Sequence, residues 1–245
     1  MTNYKIILEF DGTRYSGWQR LKDNDNTIQG KIEDCLLKMT ESPVKITGCG
    51  RTDAGVHARE YVANFHLNKD IPAQYIKEYL NKYLPHDINV SSCEKADERF
   101  HSRLNVKQKT YVYRIWNSTE HNVFEHKYMY ELNAKLDMEK MKAVAEILKG
   151  QHDFRGFCSN KNYKKSTVRT LYNILIENMG DEIRISYTGN GFLYNMVRIL
   201  TGTLLDAGMG RIAEEDVKNI FDTGRRSDAG FTVPAKGLIL TKVHY

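Results

Sequence analysis

The run GCGRTDAGVHA, from Gly48 to Ala58, constrains this chain more than any other stretch of it. Before it, Val44 and Ile46 alternate with residues of the opposite face, and after it so do Val62, Asn64 and His66, which is the period of a strand. The run itself predicts a tight, glycine-rich turn capping a sheet, with Gly48, Gly50 and Gly55 admitting backbone angles closed to residues that carry a Cβ. Asp53 stands in that turn two residues after Arg51, so a carboxylate is offered beside a cation able to steer an anionic ligand. Gly, Asp and Thr also build turns for purely structural reasons, the Asp then bonding its own backbone. The run lacks both the Gly-Lys-Ser/Thr ending of a phosphate loop and the glycine spacing of a dinucleotide fingerprint.

With 245 residues, 41% of them hydrophobic, the chain suffices for one large domain or two closely joined ones around a packed core. No apolar run is long enough to span a bilayer, and MTNYKIILEF has no signal-peptide pattern, so a soluble cytoplasmic protein without a membrane partner is expected. Cys35, Cys49, Cys93 and Cys158 are scattered, with no CxxC pair and no zinc-type spacing; free thiols, no metal and no cofactor are expected. Net charge is +5, a modest excess that by itself names no partner. Its distribution says more. Arg99, His101, Arg103, Lys107, Lys109 and Arg114 interleave with Phe100, Tyr111 and Tyr113, and KNYKK (Lys161 to Lys165) with Arg169 forms a second group. Such interleaving marks RNA-contacting surfaces, although solvated charged faces share it.

Periodicity gives an α+β pattern. Strands are expected over Tyr4 to Phe10, Val44 to Thr47, Tyr61 to Leu67, Ile88 to Cys93 and Lys109 to Asn117, with helices on the Ile28–Met39 face and between Pro72 and Pro85. A polar, His-rich connection from Ser118 to Tyr130 leads to a helix from Met138 to Leu148 closed by Gly150. Strands near Val168 to Asn178 and Glu182 to Thr188, a helix from Phe192 to about Ala207, a shorter one near Glu214 to Phe221 and a strand from Leu238 to His244 complete the chain. The expected organisation is two halves, 1–117 and 118–245, forming one unit with helices on one side of a mostly antiparallel sheet.

At this point the sequence resembles a known family. GRTDAGVHA is the active-site motif of tRNA pseudouridine synthases of the TruA type, unchanged. FDGTRYSGWQ (Phe10 to Gln19), TIQG (Thr27 to Gly30), LPHDI (Leu84 to Ile88), KTYVYRI (Lys109 to Ile115), HDF (His152 to Phe154), TVRTL (Thr167 to Leu171), GFLYNMVRILTGTLLDAGMGR (Gly191 to Arg211) and PAKGLIL (Pro234 to Leu240) are similar to family motifs and stand in family order over essentially the whole chain. The resemblance implies the pseudouridine synthase fold: two ferredoxin-like halves sharing an extended, mostly antiparallel sheet, with the active-site cleft between them. It also implies a homodimer that binds tRNA across both subunits.

Pseudouridine formation breaks the bond from uracil N1 to ribose C1′, turns the base and rejoins it through C5, with no redox change. A carboxylate serves by attacking C1′ or C6, or by stabilising a positively polarised sugar, and Asp53 fits each role as the nucleophile. Such a carboxylate must stay ionised in a partly desolvated pocket, which calls for a nearby cation. Arg198 lies in an apolar helix, where an arginine demands either an exposed face or a carboxylate partner; the resemblance implies an ion pair with Asp53. The resemblance likewise places Tyr111 where a ring stacks on the target uracil, with Tyr113 on the same face two residues on, and Leu238 as an apolar wall beneath the base. Arg51 is matched to RNA phosphate contact or to displacing the target base, with a turn-bracing ion pair as the structural alternative. His57 and Cys49 are left out of the catalytic set, as a backbone-bonding histidine and a small packing residue.

Two segments depart from the family pattern, RLKDNDN (Arg20 to Asn26) and DAGFTV (Asp228 to Val233). As expected rim loops they bear on which RNA is modified, and ribosomal RNA is the first alternative to the tRNA anticodon stem-loop at positions 38, 39 and 40. A binding module without catalysis has no need of Asp53, Arg51, Tyr111 and Arg198 together. A hydrolase with an Asp nucleophile calls for a second carboxylate or a metal cluster, and neither stands out.

Overall fold

The structure is a computed structural model that describes residues 1–160 and 165–245. Two compact units divide the chain, residues 1–107 with 239–245 and residues 108–238. Both are α+β, as the periodicity predicts. The division differs from the expected 1–117 and 118–245, because strand pairing overrides chain order: the nine residues after Lys107 already form a strand of the second unit, while the last strand returns to the first.

In the first unit β1 (Thr2–Phe10) lies between β4 (Ile88–Lys95) and β3 (His57–Leu67), antiparallel to both. The short β2 (Ile46–Gly48) is antiparallel to β3, and β10 (Leu238–His244) is parallel to it through Ile239↔His57 and Leu240↔Ala58. The returning strand is pinned by Lys107 N–H on the His244 carbonyl at 2.9 Å and by Tyr245 Oη on the Ser102 carbonyl at 2.6 Å. Helix α1 (Ile28–Thr40) starts at Thr27, whose hydroxyl accepts from Gly30 N–H and satisfies one of the orphan donors of the first turn. Helix α2 (Ala73–Tyr83) starts directly after Pro72 and ends before Pro85, since proline favours a first turn and cannot continue a last one. Tyr4, Ile6, Leu8, Tyr61, Phe65, Ile32 and Leu36 form its core.

In the second unit β5 (Gln108–Trp116), β9 (Glu182–Gly189), β8 (Val168–Met179) and β7 (Gly150–Asp153) follow one another as antiparallel neighbours, and the two-residue β6 (Tyr130–Glu131) is parallel to β5. Helix α3 (Met138–Leu148) opens at Asp137, whose carboxylate accepts from Glu139 and Lys140 N–H. Gly150 opens β7 rather than closing α3. Helix α4 (Met196–Gly208) begins four residues later than its apolar pattern predicts and is buried along nearly its whole length. Helix α5 (Glu214–Thr223) carries three acids in its first turn, where the helix dipole favours them.

Candidate functional site

Asp53 lies half-buried in the turn that connects β2 to β3, in the first unit. The turn closes on itself, Val56 N–H donating to the Asp53 carbonyl at 3.2 Å. It is braced from outside by the Asp11–Trp18 segment. Trp18 N–H donates to the Thr52 carbonyl at 3.2 Å, and Gly55 N–H to the Tyr15 carbonyl at 3.3 Å. Tyr15 is itself anchored by its hydroxyl on Asp87 at 2.5 Å. Gly17 takes φ +93°, and a Cβ there would stand 2.4 Å from the Thr52 carbonyl oxygen. The carboxylate-bearing backbone is thus held by hydrogen bonds to, and direct backbone contact with, one and the same segment. Of the three glycines predicted to need special angles, only Gly55 has a positive φ, +79°; Gly48 is an ordinary strand residue.

His57, which opens β3, is buried, and its Nδ1 accepts from Gly12 N–H at 3.0 Å, the backbone role expected for it. The same nitrogen lies 3.1 Å from an Asp11 carboxylate oxygen. Arg51 is exposed and donates through Nε to the Gln19 side-chain oxygen at 3.3 Å, with no carboxylate within ion-pair distance among the described residues. A turn-bracing ion pair therefore does not account for it. Among the described residues no disulfide joins the cysteines, and Cys49 is buried beside the turn. Among the described residues no group of three His, Cys, Asp or Glu side chains is placed to hold a metal ion.

Tyr111, Arg198 and Leu238 belong to the second unit. The Tyr111 ring, 8% exposed, meets Phe192 edge-on at 5.2 Å between centroids. Tyr113 is wholly buried and its hydroxyl donates to the Pro234 carbonyl at 2.7 Å; burial raises its pKa, and the Arg198 charge opposes that only in part. Tyr113 is thereby committed to packing, which separates it from Tyr111. Arg198, half-buried in the first turn of α4, donates through Nε to the Val233 carbonyl at 2.7 Å and through Nη1 to the Asn195 side-chain oxygen at 2.9 Å. Adjacent carbonyls at 233 and 234 therefore receive Arg198 and Tyr113. Four residues past Pro234, Leu238 is buried, 5% exposed, at the start of β10.

DAGFTV packs closely on α4. A Cβ on Gly202 of α4 would lie 1.9 Å from the Phe231 carbonyl oxygen, and one on Gly230 would lie 2.4 Å from Thr203 N, so helix and segment meet backbone to backbone. Gly230 N–H also donates to the Thr203 hydroxyl at 3.0 Å. RLKDNDN is exposed, but it is tied to the bracing segment: Ser16 N–H donates to the Asn26 carbonyl at 2.9 Å, and Asn24 to the Ser16 hydroxyl at 2.8 Å. Both departures from the family pattern thus support residues of the candidate site, a role no residue pattern announced.

The basic surface is smaller than its residues predict. Arg99, Arg103 and Lys107 are exposed. Arg114 is not, its side chain being 12% exposed and paired with Glu182 at 2.7 Å and Glu125 at 2.5 Å, so it serves the fold. In the second group Lys161 to Lys164 lie outside the described residues, Lys165 is exposed, and Arg169 is half-buried with Nη1 on the Ser166 and Val168 carbonyls. Burial lowers the Arg169 pKa.

Comparison with known proteins gives the class of this chain its name. The model of the tRNA pseudouridine synthase family matches residues 6–105 and 144–245. A protein of Clostridium tetani named tRNA pseudouridine synthase A 1 is 50% identical over 246 residues, and one of Bacillus cereus named tRNA pseudouridine synthase A 2 is 44% identical over 245, with both chains of each pair covered in full. A third, named tRNA pseudouridine synthase A, from Bacillus sp. strain KSM-64, is 45% identical over the full length of both chains. This chain belongs to the tRNA pseudouridine synthase family.

Proposed function

We propose that the chain converts uridine to pseudouridine in tRNA, at positions 38, 39 and 40 of the anticodon stem-loop, with Asp53 as the nucleophile. The observation that carries the reading is the unbroken GRTDAGVHA run, presented on a turn held in place by the Asp11–Trp18 segment, in a chain of this family. In the reaction the C1′–N1 bond breaks and the C1′–C5 bond forms, while C5 loses a proton and N1 gains one. Substrate and product are isomers, so the balance requires no oxidant, reductant or co-reactant.

Each side chain takes the part its surroundings permit. Asp53 supplies the carboxylate, and Arg198 is its ion-pair partner. Tyr111 stacks on the flipped-out uracil, the base lying against the apolar side chain of Leu238. Arg51, exposed and, among the described residues, bonded to the neutral amide of Gln19, binds a phosphate of the same RNA or displaces the base. The enzyme works as a homodimer in the cytoplasm. No helix among the described residues is long and apolar enough to cross a membrane.

The test is site-by-site pseudouridine mapping after the purified protein is incubated with unmodified tRNA and ribosomal RNA transcripts. Conversion in the anticodon stem supports the reading in full. Conversion in ribosomal RNA alone keeps the chemistry and replaces the substrate, and conversion of neither overturns it.

A further inference from the structure

We infer that Asn195 is the positioning residue for Arg198, holding its guanidinium in the orientation that the reaction uses. The inference rests on the catalytic reading of Arg198 given above and goes beyond it to the residue that makes that arginine competent.

Asn195 precedes α4 in a conformation unusual for its place. At φ 60°, ψ 6° it is left-handed, whereas a residue before a helix is ordinarily extended. Among the described non-glycine residues only Glu41 shares a positive φ, and Glu41 ends a helix, where that conformation is common. An asparagine before a helix normally caps it by accepting a backbone N–H of the first turn, but the Asn195 side chain makes no such bond. It gives up that stabilisation and turns its amide toward two side chains. Oδ1 accepts from Arg198 Nη1 at 2.9 Å, and Nδ2 donates to the Ser159 hydroxyl at 2.9 Å. A guanidinium has no acceptor, so the amide oxygen must face it and the group cannot flip. Ser159 is held in turn by its own N–H on the Tyr194 carbonyl at 3.2 Å.

The second acceptor on the guanidinium, the Val233 carbonyl, engages Nε at 2.7 Å. Two acceptors on two nitrogens of a planar group set its plane and its rotation within that plane. Neither is a carboxylate, so these two bonds orient the cation without adding a negative charge to it. The residue needed at 195 must tolerate a left-handed backbone, accept a hydrogen bond and remain uncharged. Asparagine meets all three conditions. Glycine meets the first and third, aspartate the first two.

The test compares N195G with wild type and R198A, reading the single-turnover rate on saturating tRNA, the tRNA dissociation constant, and folding by circular dichroism at the assay temperature. Glycine relieves the left-handed backbone, so N195G isolates the loss of the amide. The expected result is a rate lowered by about 10- to 100-fold, the scale of losing a charge-assisted hydrogen bond that orients a reacting group, with tRNA affinity within about twofold of wild type and the protein folded. N195A should lose as much rate and also some thermal stability. If R198A is inactive while N195G turns over like wild type, the inference is overturned and the reading of Arg198 stands. If R198A itself keeps wild-type turnover, that reading falls and the inference falls with it. A rate loss in N195G that follows only a loss of folded protein also overturns the inference.

Discussion

Replacing Gly17 with alanine should uncouple the Asp53 turn from its brace. The perturbation has two parts that the structure separates. Gly17 has φ +93°, which costs an alanine about 1–2 kcal/mol, and its new Cβ would lie 2.4 Å from the Thr52 carbonyl oxygen, 3.1 Å from Asp53 C and 3.3 Å from Ala54 N. Ordinary contact begins near 3.4 Å, so the turn must yield by about 1 Å, at a cost typical of overpacking, about 1–3 kcal/mol. The total, about 2–5 kcal/mol, corresponds to a melting temperature lower by about 4–20 °C in a chain of this length. A 1 Å displacement of a catalytic carboxylate costs about 100-fold in rate. Gly180 supplies the control: it has φ +80° with nothing within 4 Å, so Gly180→Ala carries the backbone term alone and leaves turnover unchanged. Melting by circular dichroism and single-turnover pseudouridine formation are measured on both variants. Equal losses of stability in the two, or wild-type turnover by folded Gly17→Ala, would refute the brace.

Asp53→Asn should lower conversion about 10³-fold or more while tRNA binding, followed by filter retention, stays largely intact; near-normal turnover would remove Asp53 from its role. Tyr111→Phe should bind tRNA as wild type does, and Tyr111→Ala about tenfold or more worse, since stacking on a base is worth about 1–3 kcal/mol; equal binding by both variants would rule stacking out. Burial alone would raise the Glu182 carboxyl, but hydrogen bonds from Arg114 and Arg184 hold it down to about 2 in the folded chain. A depressed carboxyl stabilises the fold above its ordinary value of 4.5, and that contribution is lost as pH falls from there toward 2. Glu182→Gln should therefore lower stability by about 1–2 kcal/mol at pH 7, allowing for solvent screening, and the deficit should shrink at pH 3 in urea titrations. A deficit independent of pH would contradict this account.

Elements bounded by strong local signals were legible in the chain. Helix α2 lies between two prolines, α3 follows a capping aspartate, and β10 has a clear apolar face; all three stand where periodicity predicts them. The strands β6 and β7 were not, because two residues, and four as polar as GQHD, carry no periodic signal. Partner choice was equally hidden: nothing in Leu238 to His244 tells that the strand runs parallel to β3. In α4 the apolar run FLYN extends the helical pattern, and only the left-handed backbone at Asn195 shows why the helix starts late. At the candidate site, Asp53, Arg51 and Tyr111 could be named from motif and resemblance, whereas the contrast between Tyr111 and Tyr113 came only with the bond from the Tyr113 hydroxyl to the Pro234 carbonyl. Arg114 was misplaced on the RNA surface because its acidic partner Glu182 is distant in sequence. Asn195 and Val233 escaped notice because one acts through its amide and the other through its carbonyl.

The backbone contact between Gly202 and Phe231 leaves no side chain between α4 and the segment that follows it. That contact fixes the Val233 carbonyl against the same helix that carries Arg198, so donor and acceptor ride on one block. An arginine on a free arm must surrender its rotamers each time a nucleotide arrives, and that entropy is deducted from every binding event. Here the surrender happens once, when the protein folds. On the role proposed for Arg198, each later RNA meets a cation already at rest, and the binding energy of the remote stem remains available for turning the base out of its stack.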